Sequence, residues 1–275
     1  MNNKERLIIV RGGGDIASGT IYALCRCGFP VLSLEVPAPS AIRRRVAFSE
    51  AVYDGTSRVE DVSCELADSI EKAFEIMENG LAAVMVDPMC RVLEKVKPWA
   101  LIDGILAKKN LGTSRDMAEK TIALGPGFTA GRDVDIVIET MRGHDLGRII
   151  EAGEARANTG VPGVIAGFGK ERVIHAEHTG IISLKAEIGD IVEKDREIAV
   201  IKTEKGEFPI HATLTGVLRG IIRPGYHVAK GLKIADIDPR ESERENCFTI
   251  SDKARCIAGS VLSGLFYLDG RGKRK

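Results

Sequence analysis

The sequence predicts an α/β protein that carries a small all-β domain and a helix towards its end. Three observations carry that expectation. A short apolar run, Leu7-Ile8-Ile9-Val10, enters the glycine-rich stretch Arg11-Gly12-Gly13-Gly14-Asp15-Ile16-Ala17-Ser18-Gly19, after which an amphipathic segment begins. Short apolar runs and helical patterns then alternate as far as residue 140. From about residue 172 the texture changes to short strands parted by glycines, and one stretch repeats without gaps at an offset of 36.

The opening elements set the first domain. Gly12, Gly14 and Ala17 satisfy the spacing G-x-G-x-x-G/A. In that pattern the first glycine allows a tight turn, the second lets the backbone approach a pyrophosphate, and the small third residue lets the helix pack closely. The new helix would present free N–H groups and its positive dipole end to the anion. Gly28-Phe29-Pro30 stops the helix, and Val31-Leu32-Ser33-Leu34-Glu35 resumes as a strand ending in an acid. Glu35 lies 23 positions after Gly12, where an acid contacts a ribose hydroxyl in such units. Residues 1–171 are therefore read as a Rossmann-like dinucleotide- or cofactor-binding domain. Gly12, Gly13, Gly14, Asp15, Ala17 and Glu35 form its binding set. The plain alternative is a tight strand-to-helix turn with no ligand.

Later elements keep the α/β pattern. Residues 66–79 place Leu66, Ala67, Ile70, Ala73, Phe74 and Met77 at helical spacing. Residues 81–86 form an apolar run closed by Asp87-Pro88, and Trp99 to Lys108 is a further apolar segment holding Asp103. Thr121-Ile122-Ala123-Leu124 empties into Gly125-Pro126-Gly127-Phe128, and residues 135–140 give the next strand. Alternating strands and helices predict a mostly parallel sheet with ligands at the carboxyl ends of its strands. Asp87, Gly125, Gly127, Glu139 and Thr140 all fall at such ends, and Asp87, Gly125 and Gly127 join the binding set.

In the repeat, identities fall at 179, 180, 189, 192, 194, 198 and 199. Composition alone would give roughly one or two in such a stretch. A strand–glycine turn–strand unit cannot bury its apolar face alone, so two copies must share one core. Residues 172–238 are read as a barrel-sandwich of two half-motifs, similar to biotinyl/lipoyl domains. Lys205, in Ile201-Lys202-Thr203-Glu204-Lys205-Gly206 between the halves, resembles the modified lysine of lipoyl hairpins; the alternative is an exposed charged turn. Residues 239–275 are read as a helix and basic tail, with Ser251 or Thr249 as the cap. Ala254, Ile257, Ala258, Val261, Leu262, Leu265 and Phe266 make an apolar stripe, expected to be core, the alternative being a homodimer surface.

The charge balance excludes a global field: 39 basic and 39 acidic residues cancel, so neither nucleic acid nor a membrane is an expected partner. Charge clusters locally at Arg43-Arg44-Arg45, and Arg43 and Arg44 are candidates to hold the nucleotide end of a ligand. The start of the chain is too poor in apolar residues for a signal-peptide core, and a cytoplasmic location is expected. Six cysteines are scattered without a C-x-x-C pair, as suits reduced thiols.

Few residues stand out as reactive. Cys90, just past Pro88 at a strand end, is a weak catalytic candidate, as a nucleophile or acceptor of sulfur or selenium if backbone N–H groups lower its pKa. Its alternative is a buried small hydrophobe. His144 is the second weak candidate, as an acid–base group. His175 and His178 lie in an extended segment that points them apart, so no metal site is expected.

Longer blocks carry a resemblance. Leu124-Gly125-Pro126-Gly127-Phe128-Thr129-Ala130-Gly131 and Val137-Ile138-Glu139-Thr140-Met141-Arg142-Gly143-His144 are joined by 11–19, 41–44, 46–50, 103–108, 158–163, 238–240 and 250–254. In these blocks the chain resembles the YqeB-type accessory proteins of the selenium-dependent molybdenum hydroxylase system along essentially its whole length. The resemblance implies a maturation factor whose partners are hydroxylase subunits and other maturation factors. The dinucleotide form of molybdopterin then becomes the expected ligand, with insertion of cofactor or selenium as the task. The rival readings are an NAD(P)-dependent oxidoreductase using the same loop and a carrier modified at Lys205; whether the chain is an enzyme stays open.

Overall fold

The computed structural model describes residues 6–161 and 163–271. The first five residues, Pro162 of the 158–163 block and residues 272–275 of the basic tail lie outside them. The chain divides into two compact units, one of residues 1–39, 47–159 and 250–275, the other of 40–46 and 160–249.

In the first unit, β1 (Ile8–Arg11), α1 (Asp15–Arg26) and β2 (Val31–Glu35) follow the apolar runs and the glycine turn. A short α2 (Ala51–Asp54) leads to the hairpin β3 (Thr56–Val59) and β4 (Val62–Leu66), turned through Glu60 at φ 53°. Helix α3 (Ile70–Glu78) is capped by Ser69, whose side chain accepts the Lys72 N–H. Strands β5 (Ala82–Val86), β6 (Ala100–Asp103), β7 (Thr121–Leu124), β8 (Thr129–Ala130), β9 (Ile136–Ile138), β10 (Ile149–Ile150) and β11 (Gly153–Glu154) complete the β structure. Nine strands form one sheet in the order β10-β9-β7-β6-β1-β2-β5-β4-β3. From β9 to β4 neighbours run parallel, and only the edges β10 and β3 are antiparallel. The helix expected over 66–79 is shorter than its periodicity suggested, because Leu66 belongs to a strand that pairs with β5.

The strand order reverses at β1 and β6. The chain leaves β1 for β2 on one side and leaves β6 for β7 on the other, so the carboxyl ends of these two strands flank a topological switch point. Residues 104–120 between β6 and β7 hold no α-helix. Helix α4 (Asp252–Arg271), capped by Ser251, takes that place. It packs on α1, where Gly19 admits Ala254, and on β7 and β9, where Gly264 faces Ile122 and Ile136. Its stripe is core at Ala254, Ile257, Ala258, Val261 and Leu265, but Phe266 is 58% exposed and Leu262 half-buried, so the buried face is narrower than expected.

The second unit is two four-stranded sheets built from β12 (Val173–His175), β13 (Gly180–Leu184), β14 (Ile191–Val192), β15 (Glu197–Thr203), β16 (Gly206–His211), β17 (Gly216–Ile221), β18 (His227–Val228) and β19 (Lys233–Asp238). Their orders are β12-β19-β17-β14 and β16-β15-β13-β18. A shift of 36 residues carries β13 to β17, β14 to β18 and β15 to β19, and the end of β16 answers to β12. The shift thus exchanges the two sheets, and each sheet takes strands from both half-motifs. One apolar core, from Ile174 to Cys247, lies in this unit. Residues 40–46 and 160–171, expected with the first domain, belong here: Gly220 has no side chain because the Ile42 carbonyl lies against it.

Candidate functional site

The three glycines after β1 differ in what surrounds them. Gly12 has φ +92°, and a Cβ there would lie 3.2 Å from the Ile105 backbone just past β6. A Cβ on Gly13 would be 2.9 Å from the Ser49 backbone nitrogen, which donates to the Gly13 carbonyl at 2.9 Å. Both are glycines for reasons internal to the fold. Gly14 has an ordinary extended backbone, φ −66° and ψ 176°, and a Cβ there would meet nothing within 4 Å. It stands at the N-cap of α1 with no side chain capping the helix. Asp15 follows, its Oδ1 accepting the Ile16 N–H at 2.9 Å. Ala17 packs where a Cβ on Gly104 would be 3.0 Å away, the close approach of helix to the β6 end that its small size allows.

Glu35 reaches this turn from the end of β2. Its Oε1 accepts the Gly13 N–H at 2.5 Å and its Oε2 the Val36 N–H at 2.9 Å. Burial nonetheless pushes its carboxyl above the usual carboxylate range, against the two backbone donors.

Beneath the turn lies a buried ion pair that sequence reasoning did not single out. Arg11 Nη1 lies 3.3 Å from Asp103 Oδ2 and also donates to the Thr113 hydroxyl, which donates to Asp103 at 2.6 Å. Arg11 Nη2 donates to the carbonyls of Pro88 at 3.2 Å and Leu111 at 3.3 Å. The pair thereby ties the loops after β5 and β6 to the switch point. Burial raises the Asp103 carboxyl, while Thr113 and Arg11 pull it down. A charged residue closing an apolar strand, as Arg11 does after Leu7–Val10, was the available signal.

The other expected site residues are engaged in structure. Asp87 is buried and its Oδ2 accepts the Val92 N–H at 2.8 Å, capping the turn after β5. Cys90 sits in that turn at φ 55°, 5% exposed, and burial pushes its thiol up rather than down, with Arg11 opposing weakly. The expected activation of Cys90 is therefore not what its surroundings provide. Gly125 has φ +79° and leaves room for Thr140, whose Oγ1 would be 2.5 Å from a Cβ there. Gly127, at φ +107°, admits the Lys109 backbone within 2.6 Å. Glu139 is buried at the end of β9, accepting the N–H groups of Met141 at 2.7 Å and Arg156 at 2.8 Å. His144 is exposed in the turn that follows.

Arg43 and Arg44 were expected at the nucleotide end of the site, and the structure assigns them to the other unit. Arg43 donates to the carbonyls of Asn246 at 2.9 Å and Thr249 at 3.1 Å, and Arg44 to that of Ile221 at 2.9 Å. Their guanidinium groups fasten the 40–46 segment to the barrel. Lys205 lies exposed at the tip of the β15–β16 hairpin, its N–H donating to Thr203 Oγ1 at 3.0 Å. Among the described residues no group of three or more histidines, cysteines and acids is arranged to hold a metal, and no helix is long and apolar enough to cross a membrane.

Comparison with known proteins adds three findings. The family model described as "Biotin-requiring enzyme" matches residues 172–237. The chain is 49% identical over 268 residues to "Uncharacterized protein YqeB" of Escherichia coli (strain K12), covering 98% of this chain and 49% of that protein. It therefore spans about half the length of the curated relative it matches. Among solved structures, the product-bound ectoine utilization protein EutE (DoeB) of Ruegeria pomeroyi overlaps 84% of this chain and 57% of that one at 12% identity and TM-score 0.25. An aspartoacylase family protein of Mesorhizobium loti overlaps 86% and 85% at 14% identity and TM-score 0.29. Both overlaps fall below the level at which two chains share an arrangement. What the chain carries is a biotinyl/lipoyl-like domain within a sequence similar to YqeB along nearly all of its own length.

Proposed function

We propose that this protein binds a nucleotide-bearing cofactor at the carboxyl ends of β1 and β6 and serves the maturation of a selenium-dependent molybdenum hydroxylase. The observation that carries the binding reading is Gly14. Its backbone conformation requires no glycine and its Cα faces open space, so a ligand approaching the first turn of α1 supplies the reason that packing does not. The residues fit a dinucleotide in outline. The Gly14 backbone and the start of α1 would take the pyrophosphate, and Glu35, already turned towards the glycine loop, would face a ribose. Bound there, molybdopterin dinucleotide would bring the molybdenum chemistry itself. The chain's part is to hold and orient it.

Holding rather than turnover is favoured by the polar groups around the switch point. Arg11, Asp87, Asp103 and Glu139 are each committed to backbone or ion-pair contacts that fix loops. The hydroxylase role rests on the likeness to YqeB-type proteins. Hydroxylase purified from cells lacking this protein is expected to have its subunits present but to be deficient in selenium or cofactor, and inactive. Equal molybdenum, selenium and pterin content in both preparations would overturn the maturation role. Absorbance of the purified chain distinguishes pterin from nicotinamide, and a nicotinamide signature would put the oxidoreductase reading ahead.

A second reading, a carrier, is favoured by Lys205 standing exposed at a hairpin tip of a biotinyl/lipoyl-like domain. An intact mass above that of the bare chain by a lipoyl or biotinyl group would establish it.

A further inference from the structure

Helix α4 begins beside α1 at the carboxyl edge of the sheet. Arg142, just past β9, holds Asp252 of α4 through two bonds of 2.8 Å, and a Cβ on Gly19 of α1 would lie 2.8 Å from the Ala254 Cβ. At a rise of about 1.5 Å per residue, the start of α1 is only about 6 Å along its axis from Gly19. Lys253, between Asp252 and Ala254, therefore projects from next to the first turn of α1.

The surroundings of Lys253 are unusual for a lysine. It is half-buried, and among the described residues its ammonium has no hydrogen bond or ion pair. The nearby carboxylates are engaged elsewhere: Asp15 accepts the Ile16 N–H, Glu139 accepts two backbone N–H groups, and Asp252 holds Arg142. Burial pushes the ammonium below its usual range and Arg142 adds to this, with Asp15, Glu139 and Asp252 opposing. A cation drawn out of water without a bonded counter-ion costs stability. Such a cost is retained where a ligand's charge answers it.

We infer that Lys253 is a phosphate-binding residue, its ammonium pairing with a phosphate of the nucleotide-bearing ligand beside the first turn of α1. This role rests on the nucleotide reading of the glycine loop. It draws one residue of that site from α4, more than 200 positions along the chain from Gly14.

Inorganic pyrophosphate, titrated calorimetrically into the full chain and its variants, tests the role. Lys253→Met is expected to weaken binding by about tenfold or more, the loss of one charge-assisted contact. Its thermal midpoint should equal or exceed the native one, because an uncompensated cation has been removed. A purely structural lysine would instead lower the midpoint and leave affinity alone. Lys253→Arg should restore most of the binding. Should Lys253→Met fail to fold, Lys253→Gln keeps a polar tip in the same space and carries the measurement. Binding retained in Lys253→Met but lost in Gly14→Val would overturn the lysine's role and leave the nucleotide reading standing. A native chain that binds no pyrophosphate would overturn both.

Discussion

Gly14 and its two neighbours look alike in sequence and are used differently. Substituting Gly12 or Gly13 forces backbone against backbone, whereas a side chain on Gly14 enters open space. Gly14→Val is therefore expected to remain folded, at a capping cost of about 1 kcal/mol. It should lose dinucleotide binding by about a hundredfold or more. Undiminished affinity of the folded variant would remove the glycine-loop site. Glu35 gives a pH test. Its folded-state pKa is raised by burial, so its contribution to stability is fully present below the unfolded-chain value and is lost as pH rises through the folded value. Denaturation midpoints of the native chain should fall over that window, and Glu35→Gln should flatten the decline. A decline of the same size in the variant would assign it to another group. The glycine loop and Glu35 were legible because each element there follows the last within one stretch of chain. Arg43, Arg44 and Lys253 were not, because their surroundings come from residues some 180 to 240 positions away in sequence. A local pattern of arginines cannot tell a phosphate contact from a carbonyl contact.

The repeat shows how much an element-scale pattern can hold. Thr179 accepts the Lys230 N–H and Thr215 accepts the Lys194 N–H, both at 3.0 Å, so four of the identical positions are two copies of one bond between the halves. Gly180 and Gly216 are a second such pair. A Cβ on either would lie 2.2 Å from a carbonyl oxygen, that of Lys202 or of Asp238, themselves 36 residues apart. Gly180→Ala and Gly216→Ala should each cost about 1–3 kcal/mol or more, by similar amounts, in urea unfolding. A variant with no loss would break the equivalence of the two halves. The β3–β4 hairpin was not legible. Thr56-Ser57-Arg58-Val59 has little apolar content, and the strand after it pairs only at the edge of the sheet. Period alone also cannot separate Leu66, at a strand end, from the helix whose spacing it happens to fit.

At the scale of the whole molecule, each barrel sheet mixes strands from both half-motifs, so neither half closes a core. A fragment of residues 172–206 should give the poorly dispersed NMR spectrum of a disordered chain; a well-dispersed one would contradict the shared core. Domain order was legible from texture, but domain membership was not, because residues 40–46 cross to the second unit and α4 returns to the first.

The return of α4 has a consequence for how the molecule is born. Its partner α1 emerges from the ribosome more than 200 residues earlier, as do most strands of the large sheet. At about 5–20 residues per second, the apolar side of α1 and the outer face of β7 and β9 wait some ten seconds or longer for their cover. In that interval the barrel strands, complete by Asp238, can already have closed. The unit that starts the chain is thus finished after the one inserted within it, and its nascent form is the client a chaperone would meet.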